Sequence, residues 1–181
     1  MASGFNILCD RLPSEFYGHP VKTDFKTVLR FYKMAGSKGL TDPEKSQITV
    51  NMFLGENPPE DLSGFDSWLN GFLLGPQPKK SEGGKKVFDF VQDSGRIMSA
   101  FYQVYRMDLR STDLHWWVFL ELLGNLPEDT AFRKVIEIRT KKSDNRSTPQ
   151  SRASLAKAKA DFALEENEND DINSLKNALR M

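Results

Sequence analysis

The stretch from Ser111 to Leu123 reads Ser-Thr-Asp-Leu-His-Trp-Trp-Val-Phe-Leu-Glu-Leu-Leu and decides the fold of this chain. Ser111 or Thr112 is a suitable N-cap and Gly124 is a suitable helix end, so the pattern predicts one helix of about three turns. Apolar side chains would cover nearly the whole circumference of this helix. Such a helix must be covered on all sides, either by its own domain or by its domain on one face and a partner on the other.

The two tryptophans divide this helix between a core side and a partner side. Trp117 shares its side with Val118, and we expect this side to pack in the core. Trp116, Leu120 and Leu123 lie in one stripe roughly opposite Val118. Because tryptophan anchors often dominate the energy of an interface, these three residues are the predicted partner-binding surface.

Several further helices are predicted on both sides of this stretch. Apolar residues recur there at spacings of three and four, which is typical of amphipathic helices. The predicted helices start at Asp24, Thr41, Pro58, Val91 and after Leu126. In residues 5–23, Phe16-Tyr17 and Val21 lie on either side of Gly18-His19, which predicts a short β-hairpin or an extended arm. The expected fold is mainly α, a compact multi-helix domain with a short N-terminal β-hairpin and a C-terminal helical tail.

The chain divides by composition into a body at residues 1–140 and an arm at residues 141–181. Large apolar residues become rare after residue 140, which indicates a flexible linker followed by weakly helical sequence. Ile172, Leu175 and Leu179 then return at spacings of three and four. A weak amphipathic helix on a polar tether is a common docking segment, so these three residues are also predicted to bind a partner. A frayed tail without a role is the alternative interpretation.

Charge and composition favour neither a nucleic-acid protein nor a membrane protein. The chain has 25 basic and 25 acidic residues, so no net field attracts polyanions. Local clusters of lysine and arginine are interleaved with acidic residues, which is typical of solvated surface. No apolar run approaches the roughly 18 residues that span a bilayer, and the N-terminus does not resemble a signal peptide. We therefore expect a cytosolic protein that binds neither nucleic acid nor membrane.

The residues that carry most enzyme chemistry are scarce in this sequence. His19 and His115 are the only histidines and Cys9 is the only cysteine, which excludes an internal disulfide and a multi-cysteine metal site. No phosphate-binding loop or dinucleotide fingerprint occurs. His115 lies beside two tryptophans, where a packing role is favoured over that of a base or ligand. The sequence thus predicts no catalytic, metal-binding or cofactor-binding site.

The run from Asp113 to Phe132, which continues to Arg139, resembles the bacteriophage gene-product-fifteen family from tailed phages of Gram-positive hosts. Its Leu-His-Trp-Trp core is specific, since two adjacent tryptophans beside a histidine are rare by chance. Supporting matches are Thr23-Asp24-Phe25, Pro59-Glu60 and Phe88-Asp89-Phe90. The resemblance covers the chain from Phe5 to Thr140.

Members of this family look like tail assembly chaperones, and the family has no catalytic residues to transfer. The resemblance implies a protein that binds and solubilises the phage tape measure protein and helps to recruit tail tube subunits. It also implies self-association, a location in the host cell cytoplasm and absence from the mature virion. The alternatives are a head-tail connector or tail-completion protein that stays in the virion, and a DNA-binding regulator.

Overall fold

The structure is a computed structural model that describes residues 5–75, 87–143 and 148–165. This part of the chain contains seven α-helices and one two-stranded antiparallel hairpin, and the predicted mainly α fold is confirmed. The elements are β1 (Glu15–Phe16), β2 (His19–Pro20), α1 (Phe25–Ala35), α2 (Asp42–Leu54), α3 (Phe65–Leu74), α4 (Ser94–Tyr105), α5 (Trp116–Gly124), α6 (Ala131–Thr140) and α7 (Pro149–Asp161).

The described residues fall into two compact units. Unit 1 contains residues 5–75 and 113–121, and unit 2 contains residues 87–112, 122–143 and 148–165. Helix α5 supplies residues to both units, because the division falls after Glu121. The central stretch of the sequence is therefore shared between two cores.

The hairpin of unit 1 forms where the sequence predicted it. Tyr17 and Gly18 form its two-residue turn with φ angles of 46° and 81°. Two consecutive left-handed residues match the right-handed twist of the flanking strands. The turn leaves Phe16 buried, with its ring centroid 5.2 Å from that of Phe65. The hairpin thus anchors the N-terminal segment on the start of α3.

Of the first three helices of unit 1, two start at the predicted caps. The Asp24 carboxylate accepts a hydrogen bond from the Thr27 backbone at 2.9 Å and begins α1. A capping box at Thr41 begins α2. The predicted start of the third helix at Pro58 is wrong, because α3 begins only after Gly64, whose φ of 81° is left-handed and cannot continue a right-handed helix.

Aromatic side chains fill the core of unit 1. The Phe25 and Phe119 rings stack with centroids 4.6 Å apart. Other buried apolar residues of this unit are Phe16, Val21, Val28, Phe31, Val50, Phe53, Phe65, Leu69, Phe72, Leu73 and Trp116. Offset and edge-to-face ring pairs of this kind add to the energy of burial itself.

Unit 2 is built around α4 and α6, with a smaller apolar core. Helix α4 is shorter than the predicted Val91–Met107 span, because it begins after Asp93 and ends at Arg106, whose φ of 55° is left-handed. Thr130 caps α6 by accepting a hydrogen bond from the Arg133 backbone. The buried apolar residues of this unit are Ile97, Ala100, Phe101, Leu109, Leu123, Leu126, Phe132 and Val135.

Helix α7 has no buried residue but packs beside α6, and the chain that follows it adds hydrogen bonds to unit 2. Arg139 Nε donates to the Phe162 carbonyl at 2.7 Å, and the Glu165 backbone N–H donates to Gln92 Oε1 at 3.0 Å. These contacts attach residues 148–165 to unit 2. The division into a body at residues 1–140 and an arm at residues 141–181 stays a prediction, and the chain beyond Glu165 lies outside the described residues.

Candidate partner-binding surface

The start of α5 is set by backbone pairing and not by the predicted cap at Ser111 or Thr112. The Phe25 N–H donates to the Leu114 carbonyl at 2.9 Å, and the Trp116 N–H donates to the Thr23 carbonyl at 2.8 Å. These bonds hold the residues before Trp116 in an extended conformation beside the start of α1. The predicted N-cap is wrong because non-local backbone hydrogen bonds outweigh a local capping preference.

His115 is a packing residue at the first turn of α5. Its Nδ1 accepts the backbone N–H of Trp117 at 3.2 Å, so the neutral ring carries its proton on Nε2. Nε2 in turn lies 2.9 Å from the Pro13 carbonyl oxygen, to which it donates. Burial lowers the pKa of His115, and this effect outweighs the Pro13 hydrogen bond, which acts to raise it. Both ring nitrogens are thus used to join the N-terminal segment to α5.

The adjacent tryptophans fasten α5 to the C-terminal end of α3. Trp116 Nε1 donates to the Leu73 carbonyl at 3.0 Å, and Trp117 Nε1 donates to the Phe72 carbonyl at 2.7 Å. The last carbonyls of a helix have no partner inside the helix, so the two indoles serve as side-chain caps. The rare Trp-Trp pair is therefore explained by the architecture of unit 1.

The burial of the two tryptophans does not follow the predicted division into a core side and a partner side. Trp116 is 2% exposed and Leu123 is 6% exposed, so neither side chain offers an open surface. Leu120 is half-buried and packs on Gly75, where its Cδ1 lies 3.2 Å from the position of an added Cβ. Trp117, assigned to the core, is only half-buried and packs edge-on against Phe5. Trp116 and Leu123 are thus covered within the protein and Leu120 is partly covered, and the binding of a partner by these three residues stays a prediction.

The other predicted partner-binding residues, Ile172, Leu175 and Leu179, lie outside the described residues. Their role stays a prediction. A candidate surface must therefore be sought among exposed apolar residues elsewhere in the chain.

Helix α4 and the turn before it carry such a surface. Val91, Met98 and Tyr102 are 71%, 39% and 60% exposed, respectively. At 100° per residue Met98 and Tyr102 lie about 40° apart on α4, beside the buried Phe101, and Val91 lies in the turn that precedes the helix. We call this surface, together with the small residues between its members, the α4 face.

The exposed residues within α4 carry no charge, although 28% of the chain is charged. The exposed residues of α4 are Ser94, Gly95, Met98, Ser99, Tyr102 and Gln103. Exposed positions of α6, in contrast, include Lys134 and Glu137. Depletion of charge together with exposed aromatic and methionine side chains is the composition of a protein interface core. The arrangement can bind an apolar helix or strand of another chain.

A buried ionic network fixes the position of α4. Asp93 precedes the helix and its side chain is fully buried. Arg139 from α6 donates to both carboxylate oxygens, at 2.6 and 3.1 Å, and also to the Val87 carbonyl at 3.1 Å. Arg96 Nη1 adds a third contact to the carboxylate at 2.9 Å. This network ties the start of α4 to the end of α6.

The network also controls the protonation of Asp93. Burial acts to raise the pKa of this carboxyl, but the hydrogen bond from Arg139, the Asp89 backbone and the charges of Arg139 and Arg96 outweigh it. The pKa of Asp93 is therefore lowered, and the group is ionised near neutral pH. Such a pair positions α4 firmly, because either partner left alone would be a buried unpaired charge.

The sequence of α4 contains an excess of apolar residues that points to the α4 face. Met98 and Tyr102 stand four residues apart, one position beyond the core residues Ile97 and Phe101. These two pairs form adjacent apolar rows along α4, which is more apolar surface than a single buried face accounts for. Helix α5 has a similar excess of apolar residues, but in α5 most of that surface is buried inside the protein.

Neither a metal centre nor a transmembrane helix is found in the part of the chain that the structure describes. No group of three or more metal-ligating side chains occurs within residues 5–75, 87–143 and 148–165. None of the helices in these ranges has both the length and the apolar character needed to cross a bilayer. The α4 face is thus the candidate functional surface.

The family described as Bacteriophage Gp15 protein matches residues 8–164, which is most of the chain. The chain therefore belongs to this phage family, and the resemblance drawn from the sequence is confirmed. No curated protein and no solved structure matches it.

Proposed function

We propose that this protein is a tail assembly chaperone that binds and solubilises the phage tape measure protein. The observation that carries the proposal is the α4 face, which exposes Val91, Met98 and Tyr102 without a neighbouring exposed charge on the helix. Membership of a phage protein family supports it, because a tailed phage must keep such a client protein soluble. The proposed function requires no catalytic group or cofactor.

The physical demands on such a chaperone fit a small, firmly held apolar face. A tape measure protein is a very long chain with apolar helical stretches, which would aggregate before the tail tube forms around it. Many copies must cover it, and each must leave when the tube polymerises. A face of three apolar side chains binds weakly enough to be displaced, and the Asp93–Arg139 pair holds it in shape.

The C-terminal segment is proposed to recruit tail tube subunits while the α4 face holds the tape measure protein. Ile172, Leu175 and Leu179 would form the apolar contact. The protein would act in the host cell cytoplasm and be absent from the mature virion.

The test is co-expression with the tape measure protein, followed by measurement of the soluble fraction. Met98→Glu or Tyr102→Glu places a charge in the α4 face and should abolish solubilisation. Gln103→Glu is the matched control, because it adds the same charge to the same helix about 100° away. Thermal melting must show that all three variants fold.

Two results would contradict the proposal. Full solubilisation by both α4-face variants would exclude this face as the binding site. Peptides of the protein in purified mature virions would instead favour a head-tail connector or tail-completion protein that stays in the particle.

A further inference from the structure

We infer that residues 5–12 form a releasable cover over Trp117, and that the uncovered indole binds an aromatic side chain of another protein. In the covered state, the ring of Phe5 takes the place of that side chain. We call residues 5–12 the N-terminal cover. That the incoming ring belongs to the tape measure protein rests on the proposed function, whereas the cover and the aromatic site rest on contacts within unit 1.

The N-terminal cover has few attachments to the rest of unit 1. No side chain of residues 5–12 is fully buried. Its turn is closed locally by the Asn6 carbonyl, which accepts the Cys9 N–H at 3.0 Å. Its ring contact is made by Phe5, whose centroid lies 4.8 Å from that of Trp117 at an interplanar angle of 87°. A segment with so few buried contacts opens at a lower free energy than the whole domain.

The attachment of the chain becomes firm at Pro13. The Pro13 carbonyl accepts the His115 Nε2–H at 2.9 Å. The Ser14 carbonyl then accepts the Val21 N–H at 2.8 Å, where the hairpin begins. Phe16 is the first buried residue among those described. The N-terminal cover can therefore leave Trp117 while the hairpin and the His115 contact stay in place.

The Trp117 ring beneath the cover is held in a fixed position. It stacks on Phe72 with centroids 6.5 Å apart, and Phe72 stacks on Trp68 at 5.3 Å. The Trp117 Nε1–H donates to the Phe72 carbonyl at 2.7 Å. A ring fixed in this way loses little freedom on binding, and tryptophan is a frequent anchor of protein interfaces. Trp117 is half-buried with the cover in place, so release of the cover opens a ready aromatic site.

The contact with Phe5 indicates what this site binds. The two rings meet at nearly a right angle, which is an arrangement that aromatic pairs prefer and that an aliphatic side chain cannot reproduce. A phenylalanine, tyrosine or tryptophan of another protein can make the same contact and must then compete with Phe5. The apparent affinity for that ring is therefore reduced by the fraction of molecules in which the cover is closed.

Release of the cover is measured with a nitroxide spin label on Cys9 of the full chain. Cys9 is exposed and is the only cysteine in the sequence, so the label reports from one position within the cover. Phe5→Ala removes the ring contact and should increase the mobile fraction of the spectrum at least about 3-fold. Leu8→Ala is the matched control, because Leu8 lies in the same segment and is 89% exposed. Circular dichroism melting shows that both variants are folded.

Binding at the site is measured by the indole N–H nuclear magnetic resonance signal of Trp117, which is assigned by its loss in Trp117→Phe. The probe is N-acetylphenylalaninamide, which carries the ring of Phe5, and N-acetylleucinamide is the aliphatic control. The dissociation constant of the aromatic probe should be at least about 3-fold lower for Phe5→Ala than for the wild-type protein. The aliphatic probe should bind more weakly than the aromatic probe to both proteins.

Three results would overturn the inference. Equal label mobility in the wild-type and Phe5→Ala proteins would show that Phe5 does not hold the cover. Equal affinity of these two proteins for the aromatic probe would show that Phe5 does not occupy the site. Equal affinity for the two probes would show that the site does not select rings. Each is measured without the tape measure protein, so each is distinct from a failure of the proposed chaperone function, which appears only on co-expression.

Discussion

The Asp93 carboxylate and the Arg139 guanidinium form a two-point pair, with N–O distances of 2.6 and 3.1 Å. The two residues lie 46 positions apart and join the start of α4 to α6. Arg139 also binds the Phe162 carbonyl at 2.7 Å, so one side chain holds three parts of unit 2. The geometry of the α4 face depends on this pair.

Arg139→Met should strongly destabilise unit 2. The change leaves the buried Asp93 carboxylate with Arg96 as its one charged partner among the contacts described, and breaking a buried pair from one side typically costs about 3 to 5 kcal/mol. The free energy of unfolding by urea is the measurement. Lys141→Met is the control, because Lys141 forms an exposed ion pair at 3.5 Å with Glu137 and its loss should change little. Equal stabilities of the two variants would contradict the role assigned to Asp93–Arg139.

The free energy of unfolding should decrease at acid pH, and part of this decrease should come from Asp93. The folded-state pKa of Asp93 is lowered from its ordinary value of 3.8. Its contribution to the free energy of unfolding is therefore fully present above that value and is lost as the pH falls through the folded-state pKa. Urea unfolding at a series of pH values should show a shallower acid-side slope for Asp93→Asn than for the wild-type protein. Parallel slopes for the two proteins would show that Asp93 is not perturbed.

Local sequence signals predicted much of the fold, and non-local contacts account for the main errors. Caps at Asp24 and Thr41 predicted α1 and α2, because a cap acts within one turn. The start of α5 could not be predicted, since backbone pairing with Thr23 and Phe25 fixes it. The spacing of apolar residues also cannot tell which tryptophan is buried, because both indoles reach carbonyls at the end of α3.

The α4 face could not be predicted from the sequence, for a related reason. Periodicity identifies an excess of apolar residues on a helix, but only the packing shows whether that excess is covered. In α5 the excess is largely covered, with Trp116 and Phe119 both buried. In α4 it is exposed at Met98 and Tyr102. Two helices with similar sequence signals therefore differ in how much of their apolar surface is covered.

Trp116→Phe should destabilise unit 1 more than Trp117→Phe does. Both changes remove an indole N–H donor and keep an aromatic ring. The Phe72 carbonyl that Trp117 bonds also accepts the Gly75 N–H at 3.2 Å and keeps that partner, and Trp117 is only half-buried. We expect a loss of about 2 kcal/mol for Trp116→Phe and about half of that for Trp117→Phe. Thermal and urea unfolding of the two variants provide the test, and the reverse order would contradict the indole-capping interpretation.

Shortening the chain should separate the part of the C-terminal region that stabilises unit 2 from the part proposed to recruit the tail tube. A chain that ends at Glu165 keeps the bonds from Arg139 to the Phe162 carbonyl and between Gln92 and Glu165. We expect it to unfold at the same urea concentration as the full chain and to solubilise the tape measure protein.

A chain that ends at Lys142 loses both sets of bonds and the stacking of Arg96 on the Phe162 ring at 5.4 Å. Its free energy of unfolding should be about 1 to 2 kcal/mol lower, because hydrogen bonds to a charged, largely buried donor are lost. Both shortened chains lack Ile172, Leu175 and Leu179, so both should fail to support tube assembly in phage complementation. Complementation by the chain ending at Glu165 would show that these three residues do not recruit the tube. Unchanged stability of the chain ending at Lys142 would show that residues 148–165 do not stabilise unit 2.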